Sequence, residues 1–300
     1  MDFGKLPQQD LDKVDFTLPP EPPLNKAILT GVKASDAKLF VGGTQWGLKE
    51  WVGKLYPKGT SQTKFLDEYV KQFNTVELNA THYKIYPPET VRKWAAKTAG
   101  KDFRFCPKLF QEISHAQGLS AHEDLLYAFL ESVTAFEDQL GPVFMQLPER
   151  FGPERENELY GFLENLPNHL PFFVELRHPG WFAERQHTSL FRNLHDLHIG
   201  AVITDTAGRR DACHMHLPVR KAFIRFVGND LHPNDYQRID DWAERIRHWI
   251  ENGLEEVYFI LHMRDEALTP QFYPYVVERL NAVCDAAIPP PVSHQAPELF

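Results

Sequence analysis

The sequence predicts an α/β fold, a (β/α)8 TIM barrel in a single domain. Three observations predict it. Eight short β-rich runs alternate with longer helical patterns, one parity of each run is apolar, and the other parity turns polar toward the C-terminal end of the run. Strands alternating with helices imply a parallel sheet, and eight is the number of strands that closes a barrel. An open, doubly wound sheet is the alternative.

Residues 1–36 are polar and Pro-rich (Pro19, Pro20, Pro22, Pro23) and read as an extended arm on the domain. The barrel domain is expected over 37–286, with a short tail over 287–300 that contains PPP. The strands are expected at Lys38–Gly43, Thr75–Asn79, Phe103–Lys108, Val143–Leu147, Phe172–Leu176, Gly200–Asp205, Ala222–Val227 and Glu256–His262. Between them the helical patterns fall at Gln62–Gln72, Glu89–Lys97, His122–Asp138, Glu154–Leu163, Thr188–Leu197 and Asp240–Asn252, with a last one at Pro270–Cys284. The sixth crossover, Thr206–Lys221, reads as a loop whose helix is missing.

With 300 residues, 43% of them hydrophobic, the chain can bury a large core. A net charge of −9 disfavours nucleic acid and anionic membrane as partners, since both call for a basic footprint. Cys106, Cys213 and Cys284 form no CxxC pair, which fits a reducing compartment. There is no secretory pattern at the start and no apolar run of membrane-spanning length, so a cytoplasmic location is expected. Oligomeric state has no signal in the sequence.

Side chains on a strand alternate between two faces. One parity is consistently apolar and is expected to face the helices: Val76 and Leu78, Phe103 and Phe105, Val143 and Met145, Phe172 and Val174, Val202, Ile224 and Phe226, Val257 and Phe259. The other yields Thr44, Glu77, Asn79, Arg104, Lys108, Gln146, Glu175, Arg177, Asp205, Arg225 and His262. Barrel interiors are mostly branched and apolar, and buried charges need partners. These groups therefore form either a closed internal ion-pair network or a ligand pocket at the end where barrel enzymes carry their chemistry. The pocket is the preferred reading.

The segments GGTQWGLKEWVGKLYP, FNTVELNATHY, FRFCPKLFQEISH, GPVFMQLPERF, VELRHPGWF and AFIRFVGND resemble the YecE-like family, a domain of unknown function numbered seventy-two. The resemblance runs from about Leu39 to about Val283 and implies a TIM barrel without implying a reaction. It carries over, by position, Trp46, Glu77, Asn79, Tyr83, Lys108, His115, Gln146, Glu175, Arg177, His178, Pro179, Trp181, Asp205 and Arg225. The chain departs from the pattern at Val227, where the family often has His, and at His262-Met263, where it often has Asn-Asn.

The residues point to an enzyme acting on a small, polar, anionic or phosphorylated substrate by general acid–base chemistry. Glu175 and Glu77 are the acid and base candidates. Asp205 would orient a partner, and Lys108 is a fourth catalytic candidate, because a desolvated lysine can act as base or nucleophile. Arg177 and Arg225 would clamp the anion. His178, Asn79, Gln146, Tyr83, Trp46, Trp181, His262 and Gly228 complete the expected binding set, with Trp181 as a platform or lid. No cofactor is expected: GxxxxGK[ST] and GxGxxG are both missing. Two alternatives stay open. One is a metal-dependent hydrolase or isomerase built on Glu175, Asp205 and His262; the other is a non-catalytic module binding a metabolite or a nucleic-acid end.

Overall fold

The computed structural model describes residues 3–292 and 294, and for 184–188 the backbone only. The remainder of the expected C-terminal tail, 293 and 295–300, lies outside the described residues. The strands are β1 (Lys38–Gly43), β2 (Thr75–Leu78), β3 (Arg104–Pro107), β4 (Val143–Gln146), β5 (Phe172–Glu175), β6 (Gly200–Asp205), β7 (Lys221–Val227) and β8 (Glu256–His262). They pair in parallel in the order β3-β2-β1-β8-β7-β6-β5-β4. Bridges Phe105–Leu140 and Lys108–Phe144 join β3 to β4, with Leu109 N–H donating to the Phe144 carbonyl at 2.9 Å, and they close the ring. The fold is a single-domain (β/α)8 barrel.

Helices follow the strands as α1 (Phe65–Gln72), α2 (Pro88–Ala96), α3 (Glu123–Thr134), α4 (Glu156–Glu164), α5 (Glu184–Asp196), α6 (Pro233–Glu251) and α7 (Thr269–Cys284). After β6 comes only the 3-10 turn Arg210–Ala212, as the loop-like crossover predicts. Helix α6 starts earlier than the sequence pattern suggests. Pro233 occupies its first turn, where a missing N–H costs nothing, and the His232 ring accepts from Asn234 N–H. Among the described residues no helix is long and apolar enough to cross a membrane.

The core has two layers. Val41, Val76, Phe105, Ile224, Phe226 and Phe259 face the helices on one side of the barrel, and Val143, Met145 and Val174 do so on the other. The interior holds Phe40, Cys106, Phe144, Phe173, Val202, Phe223, Tyr258 and Ile260, an aromatic plug in place of the usual branched layers. Gly42 is required by close packing of β1 on β2: a Cβ there would lie 2.0 Å from the Thr75 carbonyl oxygen.

The parity expectation needs two corrections. In β6 the inward residues are Val202, within the aromatic plug, and Thr204, whose hydroxyl donates to Glu175 at 3.1 Å. Ile203 and Asp205 therefore face the helices. A strand buried on both faces reads as a continuous apolar run, so alternation did not fix its phase. Arg104 is inward but starts β3, so it lies at the opposite end of the barrel from the polar mouth. It stacks 5.2 Å from the Phe40 ring centroid and pairs with Asp102 at 2.9 Å.

Candidate functional site

At the C-terminal ends of the strands, the polar interior is built as a layer above the aromatic plug. Arg225 of β7 is fully buried. Its Nε and Nη2 donate to the two carboxylate oxygens of Glu77 at 2.8 and 2.9 Å, and its Nη1 donates to Glu175 Oε2 at 2.6 Å. Arg177 donates from Nε and Nη2 to Glu175 Oε1 at 3.1 and 3.0 Å. His262 Nε2 lies 3.0 Å from Glu77 Oε2, and Asn79 Nδ2 donates to Glu77 Oε1 at 2.9 Å. Burial pushes the Glu77 carboxyl up, but Arg225 and His262 outweigh it and hold it well below the ordinary range. Burial acts likewise on Glu175, and Arg177 and Arg225 overcome it, bringing it down to about 2. Both acids are thus bound to guanidiniums beneath the pocket floor and lie outside the cavity lining.

Above this layer is a cavity of about 790 Å³. Of the expected residues, Lys108, Gln146, Arg177, Arg225, His262, Asn79, Tyr83 and Trp46 line it. Lys108 is buried, and its ammonium donates to the neutral Gln146 Oε1 at 2.9 Å. Burial and then Arg225 lower its pKa, against the pull of Glu77 and Glu175, to about 8. Tyr83 is exposed at the rim, on the short helix Ala80–Tyr83. Trp46 packs edge-on against Trp94 at 5.5 Å, and Trp94 likewise against Tyr86 at 4.8 Å, so one wall is aromatic.

Besides Glu77 and Glu175, four expected residues are not in the lining. Asp205 accepts from Arg238 Nε at 3.1 Å and Trp242 Nε1 at 2.8 Å and pairs with Arg210, so it ties α6 to the barrel. Asp205→Asn is expected to cost about 1–3 kcal/mol, because Arg238 stays buried beside a neutral amide. Urea denaturation measures that cost, and ligand affinity should not change with it. Trp181 is fully buried in the core, and its indole N–H donates to the Phe151 carbonyl at 2.8 Å, so it is neither platform nor lid. His178 turns back to accept from Gly180 N–H at 3.0 Å and starts a 3-10 turn. Gly228 N–H donates to the His262 carbonyl, and a Cβ there would sit 2.6 Å from Met263 Sδ. Because Asp205 faces the helices, Glu175, Asp205 and His262 do not assemble as a metal set. Among the described residues no group of three or more His, Cys, Asp or Glu side chains could hold a metal ion.

The structure also adds residues. Glu266, just beyond β8, lines the cavity and accepts from the Thr44 hydroxyl at 3.0 Å and the Thr269 hydroxyl at 3.2 Å. Burial raises its pKa to about 7, the hydroxyls pulling it down and Glu77 adding to the rise. His82 lines the cavity with Nδ1 2.7 Å from the Leu109 carbonyl, and burial followed by Lys108 brings it down to about 4, so it is neutral near pH 7. Lys5 and Arg264 also reach the lining. A carboxylate four residues past a strand-end histidine was the available signal for Glu266. Lys5 had none.

A family model described as "Protein of unknown function DUF72" matches residues 40–296. The UPF0759 protein YecE of Escherichia coli K12 is 31% identical over 281 residues, covering 87% of this chain and all of that protein. The UPF0759 protein YunF of Bacillus subtilis 168 is 30% identical over 152 residues, 48% of this chain and 52% of that protein. Among solved structures, a DUF72 family protein of Enterococcus faecalis V583 superposes with a TM-score of 0.65 at 18% identity, over 87% of this chain and all of that one. A DUF72 family protein of Thermotoga maritima MSB8 gives 0.58 at 20% identity, over 79% and 98%. The resemblance carried by the sequence motifs is borne out.

Proposed function

We propose that this chain, which belongs to the DUF72 family of proteins of unknown function, binds a small anionic, phosphorylated substrate in the mouth of its barrel and acts on it by general acid–base chemistry. One observation carries the reading. The Lys108 ammonium is buried at the cavity floor against an amide, while the nearby carboxylates Glu77 and Glu175 are engaged by Arg225 and Arg177. Besides those two guanidiniums, the charged lining among the described residues consists of the cations Lys108, Arg264 and Lys5 and the acid Glu266. A cavity with excess positive charge and low-dielectric walls concentrates anions. The loops after β7 and β8 are where barrels often hold phosphate.

In this reading Lys108 and Arg177 bind the anion, and the buried carboxylates fix Arg177 and Arg225 in position. Glu266 is the proton donor or acceptor: it is a carboxyl in the cavity whose partners are hydroxyls and whose pKa, about 7, suits either direction near neutrality. His82 is a neutral hydrogen-bonding group on the same wall.

Calorimetric titration with pyrophosphate tests the reading. The wild-type protein is expected to bind it. Lys108→Met should weaken binding about tenfold or more, since a hydrogen bond to a charged group is worth about 1.5–3 kcal/mol. No binding by the wild-type protein, or equal affinity in the variant, would overturn it.

A further inference from the structure

We propose that the N-terminal segment Phe3–Leu6 is part of the anion site, with Lys5 as a ligand-binding residue and Phe3 as a positioning residue for Arg177. The inference rests on the anion-pocket reading and adds a wall to it that comes from outside the barrel. Hydrogen bonds to the Gly4 and Leu6 carbonyls and stacking on Phe3 hold the segment across the strand ends. Gly208 N–H donates to the Gly4 carbonyl at 2.8 Å. The Thr206 hydroxyl donates to the Gly4 carbonyl at 3.1 Å. Arg264 Nη2 donates to the Leu6 carbonyl. The buried Phe3 ring lies 4.5 Å from the Arg177 guanidinium carbon and 4.9 Å from that of Arg209.

This arrangement has a chemical consequence. The planar guanidinium of Arg177 is hydrogen-bonded at its edge to Glu175 and covered on a face by Phe3, so its orientation is fixed before a ligand arrives. Arg209 Nη1 donates to the Arg177 carbonyl at 2.7 Å, holding the backbone of the same residue. Between Phe3 and Leu6, Lys5 is carried into the cavity lining. Arg264, anchored to Leu6 by one nitrogen, keeps a buried Nε that has no hydrogen-bond partner among the described residues. A ligand with several anionic oxygens, such as a phosphomonoester or diphosphate, would meet Lys5 and Arg264 on one side and Lys108 and Arg177 at the floor. Gly4 makes the placement possible: its φ is +68°, and a Cβ would stand 2.4 Å from Thr206 Cγ2.

The test is pyrophosphate titration of the full chain at two salt concentrations. Lys5→Met is expected to weaken binding about tenfold and to flatten its salt dependence, because one charge–charge contact is lost. Lys13→Met, a lysine of the same arm paired with Asp10 and outside the lining, is the control and should match the wild type. Gly4→Val should displace the segment and weaken binding similarly while leaving Lys5 in the chain. Lys5→Met decides by itself if Gly4→Val fails to fold. Wild-type binding with Lys5→Met unchanged in affinity and salt slope overturns this inference and leaves the pocket reading standing. Absence of binding by the wild-type protein overturns both.

Discussion

Arg225→Met is expected to destabilise the folded protein by about 3–5 kcal/mol, the cost of leaving buried charge without its partner. Glu77 and Glu175 are buried on either side of this one guanidinium, and with Arg225 gone burial would push both carboxyls upward without their shared counter-charge. Glu175 would keep Arg177 and Thr204, and Glu77 would keep His262 and Asn79. For a domain of this size the melting temperature should fall by about 10 °C. Adding Glu77→Gln and Glu175→Gln to the variant should recover part of the loss, because neutral amides in that space cost less to bury. The pH dependence has a definite sign. Glu175 is held at about 2, below its ordinary 4.5. Its contribution is therefore complete above pH 4.5 and is lost as pH falls toward 2. The gap between wild type and Arg225→Met should narrow across that same window. Urea denaturation between pH 7 and pH 2, with thermal melting at pH 7, measures all of this. A variant within about 1 kcal/mol of the wild type would mean that the ion-pair layer is not what holds the mouth of the barrel together.

The second large effect is expected at Glu266. Sulfate keeps its charge across the neutral range, so the pH dependence of its binding reports on the protein. Wild-type affinity should fall as pH rises through about 7, where Glu266 ionises in the cavity. A further fall should come near 8, where Lys108 loses its proton. A carboxylate several ångströms from a bound anion opposes it by about 2–4 kcal/mol at an effective dielectric near 20, or roughly 30-fold to 1000-fold in affinity. Glu266→Gln should remove the transition near 7 and keep the one near 8. With a substrate in hand, the same substitution should lower turnover by about 10²–10⁴. A sulfate titration whose step near 7 survives Glu266→Gln would assign that proton to another group. A ligand bound with full affinity but without turnover in any variant would favour a binding module over an enzyme.

Where the sequence read correctly and where it did not follows from what each signal can reach. Strands β1, β6 and β8 match their expected spans, because a short β-rich run bounded by loops leaves few alternatives. The inward placement of Glu77, Arg225 and His262 follows from a period of two residues once the apolar face is known. In β6 that rule lost its phase, since Ala201, Val202 and Ile203 are apolar on both parities, and only pairing with β7 puts Thr204 level with Arg225. His178 and Trp181 lie past the end of β5, where no periodicity continues to orient a side chain.

By itself the sequence determined the eight-stranded barrel, its family, and the gathering of acids and bases at the C-terminal ends of the strands. Repeat and alternation are local properties, and a chain carries them before it folds. Only the tertiary structure decided which charges neutralise one another and which line the cavity. Glu77 and Glu175 are consumed by guanidiniums from β7 and the β5 end, Asp205 belongs to α6, and Glu266 and Lys5 enter the cavity from opposite ends of the chain. Those partnerships are made between residues far apart in sequence. They are fixed by barrel closure and burial, which no local pattern records.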